Sequence, residues 1–173
     1  MAVIDVDGRA DGVAMKPVAG CRYYGVGRYT PKDSYVRGTG RELTTGVWED
    51  FEIAFIPEKD GEVLLYLKGR PYASQTETRK LLPVWGYFDD VVVEGAELRN
   101  SGFEEMDAKG LPAGWRRAVH PDPDVAPYLI KGEKSACTGR HCVKVWYKGG
   151  FSQKIRVTKG KRVLIRARVK GDT

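Results

Sequence analysis

Apolar and polar residues alternate along most of this chain. Val63, Leu65 and Leu67 take turns with Leu64, Tyr66 and Lys68, and Val163, Ile165, Ala167 and Val169 with Arg162, Leu164, Arg166 and Arg168. Successive strand side chains point to opposite faces, so this period of two predicts strands with one buried face. The same signal predicts further strands over residues 3–6, 13–16, 21–28, 48–56, 87–93, 142–147 and 151–157. Between them lie clusters such as Pro57-Glu58-Lys59-Asp60-Gly61 and Thr158-Lys159-Gly160-Lys161, whose residue types favour chain reversal.

No window repeats apolar residues at i, i+3, i+4 and i+7 over the length of a helix, and the 21 glycines and 9 prolines work against one. Many short strands broken by turns predict an all-β fold, a β-sandwich of two antiparallel sheets or a jelly roll, rather than a parallel α/β sheet. With 173 residues the chain is the size of one domain, spanning 1–173, and can bury a core without metals or disulfides. The proline-containing stretch 106–125 and the Ser, Thr and Gln-rich stretch 70–82 read as surface or binding loops.

Charge narrows the partners. Lys and Arg outnumber Asp and Glu by 29 to 23, a net +6 that favours acidic partners such as anionic polysaccharide, nucleic acid or a membrane surface, the alternative being a soluble protein with a modest positive excess. No apolar run approaches the roughly 20 residues of a membrane span, so no membrane is expected, and no nucleic-acid motif accompanies the basic residues. Three cysteines and two histidines do not make a zinc pattern. Cys137 and Cys142 flank a four-residue segment: they pair if it is a tight turn that brings their Cβ atoms together, and otherwise remain half-buried thiols.

Several phrases then resemble the first half of carbohydrate-binding modules similar to families 4, 9 and 22, which have a galactose-binding-like jelly roll. They run Asn100-Ser101-Gly102-Phe103-Glu104-Glu105, Gly110-Leu111-Pro112-Ala113-Gly114-Trp115, Cys137 to Val145, Gly149-Gly150-Phe151-Ser152-Gln153 and Val163 to Gly171. The phrases of the second half lie upstream: Gly46-Val47-Trp48-Glu49-Asp50-Phe51-Glu52, Gly61 to Leu67 and Phe88-Asp89-Asp90-Val91. The resemblance thus assigns 1–98 to the second half and 99–173 to the first, a circularly permuted order, with an excised piece of two neighbouring modules as the other account. The first predicts a monomer and the second a strand-exchanged dimer. It also implies a non-catalytic polysaccharide-binding function within a larger secreted or cell-surface protein whose signal is not in this sequence.

The resemblance further implies a structural calcium held by Glu104, Asp89 and Asp90 with backbone carbonyls near Ser135 and Thr138. An oxygen-only donor set suits that hard cation; neutralisation by Lys or Arg is the alternative. For catalysis the chain lacks a serine elbow, a phosphate-binding loop and HExxH, so no enzymatic activity is expected. A sugar presents an apolar C–H face and a hydroxyl rim, so a site wants exposed aromatics with polar partners. Trp48, Phe51, Phe88, Phe103 and Trp115 fall on packing phrases and read as core, leaving Trp146, Tyr66, Trp85 and Tyr24 as ligand-binding candidates. Arg166 and Arg168 join them, because alternation places Arg162, Arg166, Arg168 and Lys170 on one face. On a concave sheet that row would clamp carboxylates or sulfates; on a convex one it is solvated. A structural or adhesive sandwich with no sugar site is the competing function.

Overall fold

The computed structural model describes residues 2–18, 35–37, 46–69, 72–73, 81–82, 85–118, 126–132, 135–146 and 149–172. Among these there is no helix, and thirteen strands account for the regular structure. They are β1 Ala2–Asp7, β2 Met15–Pro17, β3 Tyr35–Arg37, β4 Glu49–Pro57, β5 Gly61–Gly69, β6 Tyr72–Ala73, β7 Leu81–Leu82, β8 Gly86–Glu94, β9 Arg116–Arg117, β10 Tyr128–Lys131, β11 His141–Val145, β12 Phe151–Val157 and β13 Val163–Gly171. The strand expected over 21–28 lies outside the described residues, while β3, β9 and β10 and the small β6–β7 pair arise where no strand was foreseen.

Two antiparallel sheets pack face to face as a β-sandwich. One has the order β3-β1-β5-β12-β9 and the other β10-β11-β8-β13-β4-β2. Alternation builds the core between them: Ile4, Val6, Leu65, Leu67, Phe151 and Ile155 from the first sheet meet Phe51, Ile53, Phe55, Phe88, Val143, Val145, Ile165 and Val169 from the second. Each such side chain taken from water contributes roughly 1.5–3 kcal/mol, which offsets the entropy lost in ordering many short strands.

Opposite β13, strand β8 carries one extra residue: Arg166 faces Val92, but Arg168 faces Asp89. This β-bulge is centred on Asp90, whose φ is 47°, and it turns both Phe88 and Val91 toward the core although they are three residues apart. Asp89 is thereby aimed at the outer face. Within β8, next to the bulge, Val91 N–H donates to Ser101 O at 2.9 Å, tying the 100–106 segment to this strand.

That segment is organised by Asn100. Its Nδ2 donates to Glu105 O at 2.8 Å and Ala113 O at 3.1 Å, its Oδ1 accepts from Glu105 N at 3.0 Å, and Trp115 Nε1 donates to its backbone carbonyl at 3.0 Å. Phe103 packs 5.1 Å from the Trp115 ring, so these two phrases close one end of the core, as expected of Phe51, Phe88, Phe103 and Trp115.

Trp146 and Trp48 exchange their expected places. Trp146 is buried at 7% exposure, not a free platform, because it stands where the chain crosses from β11 to the other sheet. There it exchanges hydrogen bonds with Gly149 and accepts one from Gly69 N–H at 3.2 Å. Trp48, expected in the core, instead lies half-buried on the outer face just ahead of β4.

Candidate functional site

The outer face of the six-stranded sheet carries a cross-strand row of aromatic and lysine side chains. In register, Tyr128 of β10 stands opposite Lys144 of β11, Lys144 opposite Tyr87 of β8, and Tyr87 opposite Lys170 of β13. Val169 pairs with Glu49, which sets Trp48 beside Lys170 and completes the row. Each member alternates with an inward residue, such as Phe88, Val143, Val145 or Val169, so the pleat that fills the core also builds this strip.

The ammonium groups sit over the rings. Lys144 Nζ lies 5.2 Å from the centroids of Trp85 and Tyr87 and 5.9 Å from that of Tyr128, and it forms an ion pair with Asp172. Lys170 Nζ lies 4.6 Å from the Trp48 centroid and 4.8 Å from that of Tyr87, and it donates to Ser135 O at 3.1 Å. Trp85 meets Tyr128 edge-on, with centroids 5.8 Å apart at 70°. Ring quadrupoles attract cations in such positions, which fixes both partners in place. Desolvation lowers the affinity of Lys144 for its proton, but hydrogen bonds to Asp172 and Tyr87 outweigh it and raise the pKa above the ordinary lysine value. Burial raises the Tyr87 pKa against the opposing effect of Lys144. At neutral pH Lys144 is therefore an ammonium cation and Tyr87 an uncharged phenol.

Trp85, one of the aromatic candidates, thus stands beside this strip, and Arg166 and Arg168 lie on the same face. Both guanidinium groups are already matched: Arg166 pairs with Glu94, and Arg168 donates to Asp50 Oδ1 at 2.9 Å and to Trp48 O at 3.3 Å. The expected row of free arginine clamps is therefore largely neutralised. Tyr66 belongs to the other sheet, where it points away from the core beneath Lys68, 5.9 Å from its ring centroid, with Lys68 paired to the buried Asp5. The sandwich separates it from Trp85, Arg166 and Arg168. Tyr24 lies outside the described residues.

Sequence reasoning missed Trp48, Tyr87, Tyr128 and Lys144. Counting parity outward from Phe51, Phe88 and Val143 places the first, second and last of these on the outer face; Tyr128 has no such anchor.

Glu104, Asp89 and Asp90 do converge on one loop, 135–141, but as acceptors of its N–H and O–H groups. Asp89 Oδ1 accepts from Asp90 N at 2.7 Å, and its Oδ2 accepts from Cys137 N at 2.7 Å and Thr138 N at 3.2 Å. Asp90 Oδ1 accepts from Thr138 Oγ1 at 2.6 Å. Glu104 Oε1 accepts from Arg140 N and His141 N at 2.8 and 2.9 Å, and its Oε2 lies 2.7 Å from His141 Nδ1. Oxygens so engaged with protons are not free to line a calcium shell of six to eight oxygens. Among the described residues no three His, Cys, Asp or Glu side chains are grouped to hold a metal ion.

Burial pushes the Asp89 carboxyl up to about 6 despite its three N–H donors. Burial likewise raises Glu104, but there the Arg140 N–H, the His141 ring and the His141 N–H win and hold it below the usual range. Cys137 and Cys142 are both free thiols; Cys142 Sγ is turned to Ser135 O at 3.5 Å, and burial pushes its pKa up to about 12.

The chain is an all-β sandwich bearing an aromatic and lysine strip on one sheet. Comparison with family models, with curated proteins and with solved structures finds no match to it.

Proposed function

We propose that this protein is a non-catalytic glycan-binding module that lays a polysaccharide across the outer face of its six-stranded sheet. The row Tyr128, Lys144, Tyr87, Lys170 and Trp48 carries the reading. Neighbouring strands lie about 4.8 Å apart, so five strands give a strip ~19 Å long, suited to a chain of sugar rings more than to one. Rings offer apolar surface to C–H faces, and lysine N–H groups with Asp172 offer partners to the hydroxyl rim.

The likeness to carbohydrate-binding modules of families 4, 9 and 22 supports the same reading, as does the way the permuted halves join. The connecting segment after β8 is bound into the fold at Arg99. Ala2 pairs with Gly69, which bonds Trp146, and Val145 and Gly171 both pair with Gly86, so the two described ends of the chain share one end of the sandwich. On this reading the domain is a monomeric jelly roll, part of a secreted or surface protein.

A glycan array followed by titration calorimetry tests it. Retention of at least one polysaccharide, weakened by Trp48→Ala or Tyr87→Ala in folded protein, is the expected result. Binding to none would leave the sandwich a structural or adhesive module.

A further inference from the structure

Given the glycan-binding reading, on which this rests, we infer that the ligand is a uronate-containing polysaccharide and that Lys170 is its specificity-determining residue. Among Lys144, Arg166, Arg168 and Lys170, one position stands apart. Lys144 is neutralised by Asp172, Arg166 by Glu94 and Arg168 by Asp50. Lys170 has no carboxylate partner among the described residues. Its ammonium has three N–H donors, and one is given to Ser135 O.

It stands near the middle of the strip between the Trp48 and Tyr87 rings, 4.6 and 4.8 Å from their centroids. A hexuronate ring resting on either aromatic face would bring its carboxylate to this ammonium, forming a charge-assisted hydrogen bond in a partly desolvated place. Because Lys144, Arg166 and Arg168 are already paired with carboxylates, the face offers little attraction to additional negative charge. A polymer with one anionic group per sugar therefore fits better than a densely sulfated one.

The test measures binding of the full chain to polygalacturonate, alginate and glucuronoxylan, each against its carboxyl-reduced counterpart, with heparin and a neutral β-glucan alongside. At least one uronate polymer is expected to bind about tenfold more tightly than its reduced form, the worth of one charge-assisted hydrogen bond. Lys170→Gln is expected to abolish that ratio, so that the acid and reduced polymers bind the variant alike. Should that variant not fold, the acid-to-reduced ratio of the native protein decides alone. Equal binding of acid and reduced forms overturns the role of Lys170 but leaves glycan binding standing. Preference for heparin, whose uronates are outnumbered by sulfates, overturns carboxylate as the recognised group, and binding to no glycan removes the underlying reading instead.

Discussion

Gln153 holds both backbone groups of Arg99: its Oε1 accepts from the Arg99 N–H at 2.8 Å and its Nε2 donates to the Arg99 carbonyl at 3.0 Å. A side-chain amide thus stands in for a neighbouring strand and fastens the connection between β8 and the Asn100 phrase to β12. Gln153 is buried, so Gln153→Leu would leave two backbone groups unpaired at small change in volume. We expect a loss of roughly 2–3 kcal/mol, or a Tm lower by about 5–10 °C, read by thermal melting.

The same segment predicts how the chain tolerates rewiring. Linking the two described ends with a short flexible bridge and opening the chain within residues 96–98 should give a folded, cooperative monomer, because compact domains accept new ends where old ones lie together. Size-exclusion and melting check this; an aggregated or dimeric product would argue for strand exchange.

Under the proposed function, placement on opposite sheets separates the aromatic residues. Trp48→Ala and Tyr87→Ala should each weaken glycan binding at least about tenfold, as central aromatic anchors do, whereas Tyr66→Ala, on the other face, should leave it unchanged. Calorimetry on the three variants decides, and a deficit for Tyr66→Ala alone would move the site to the five-stranded sheet.

Asp89 sets a pH dependence of unusual sign for a carboxylate. With its pKa pushed up to about 6, its contribution is present below the unfolded value near 4 and is lost as pH rises through 6, about 3 kcal/mol in all. Glu104 and Asp7, held below their usual range, act oppositely: their contribution is lost as pH falls below about 4. Stability should therefore peak between about pH 4 and 5. Melting curves across this range should show the decline toward pH 6 in the native protein and its disappearance in Asp89→Asn.

Chelation provides a separate check on the 135–141 loop. Since Asp89 and Glu104 already accept backbone N–H donors, excess EDTA should leave Tm unchanged within about 1 °C, and added calcium should not raise it. A clear drop would mean that the loop carboxylates reorganise around a cation.

Long alternating runs made the central strands legible: β5, β12 and β13 lie where their buried and exposed residues predict, because a central strand with one face in the core has little freedom of register. Most of the strip was legible by parity as well, since Trp48 and Tyr87 are fixed by Phe51 and Phe88. Trp146 was not, because its burial comes from the crossing between sheets, where period two no longer applies. Nor was the partnership of Asp89 with Cys137 and Thr138, which depends on a loop distant in sequence closing over a bulge. The short β3, β9 and β10 carry too few residues for any pattern to register.

Those short strands have a consequence for behaviour in solution. Among the described residues the flanking strands β2, β3, β9 and β10 span only three, three, two and four residues, so each sheet ends in a brief row of backbone donors and acceptors. A second molecule finds little there on which to extend a ladder. Crowded onto a shared polymer, neighbouring copies should remain separate particles that do not fuse into fibrils.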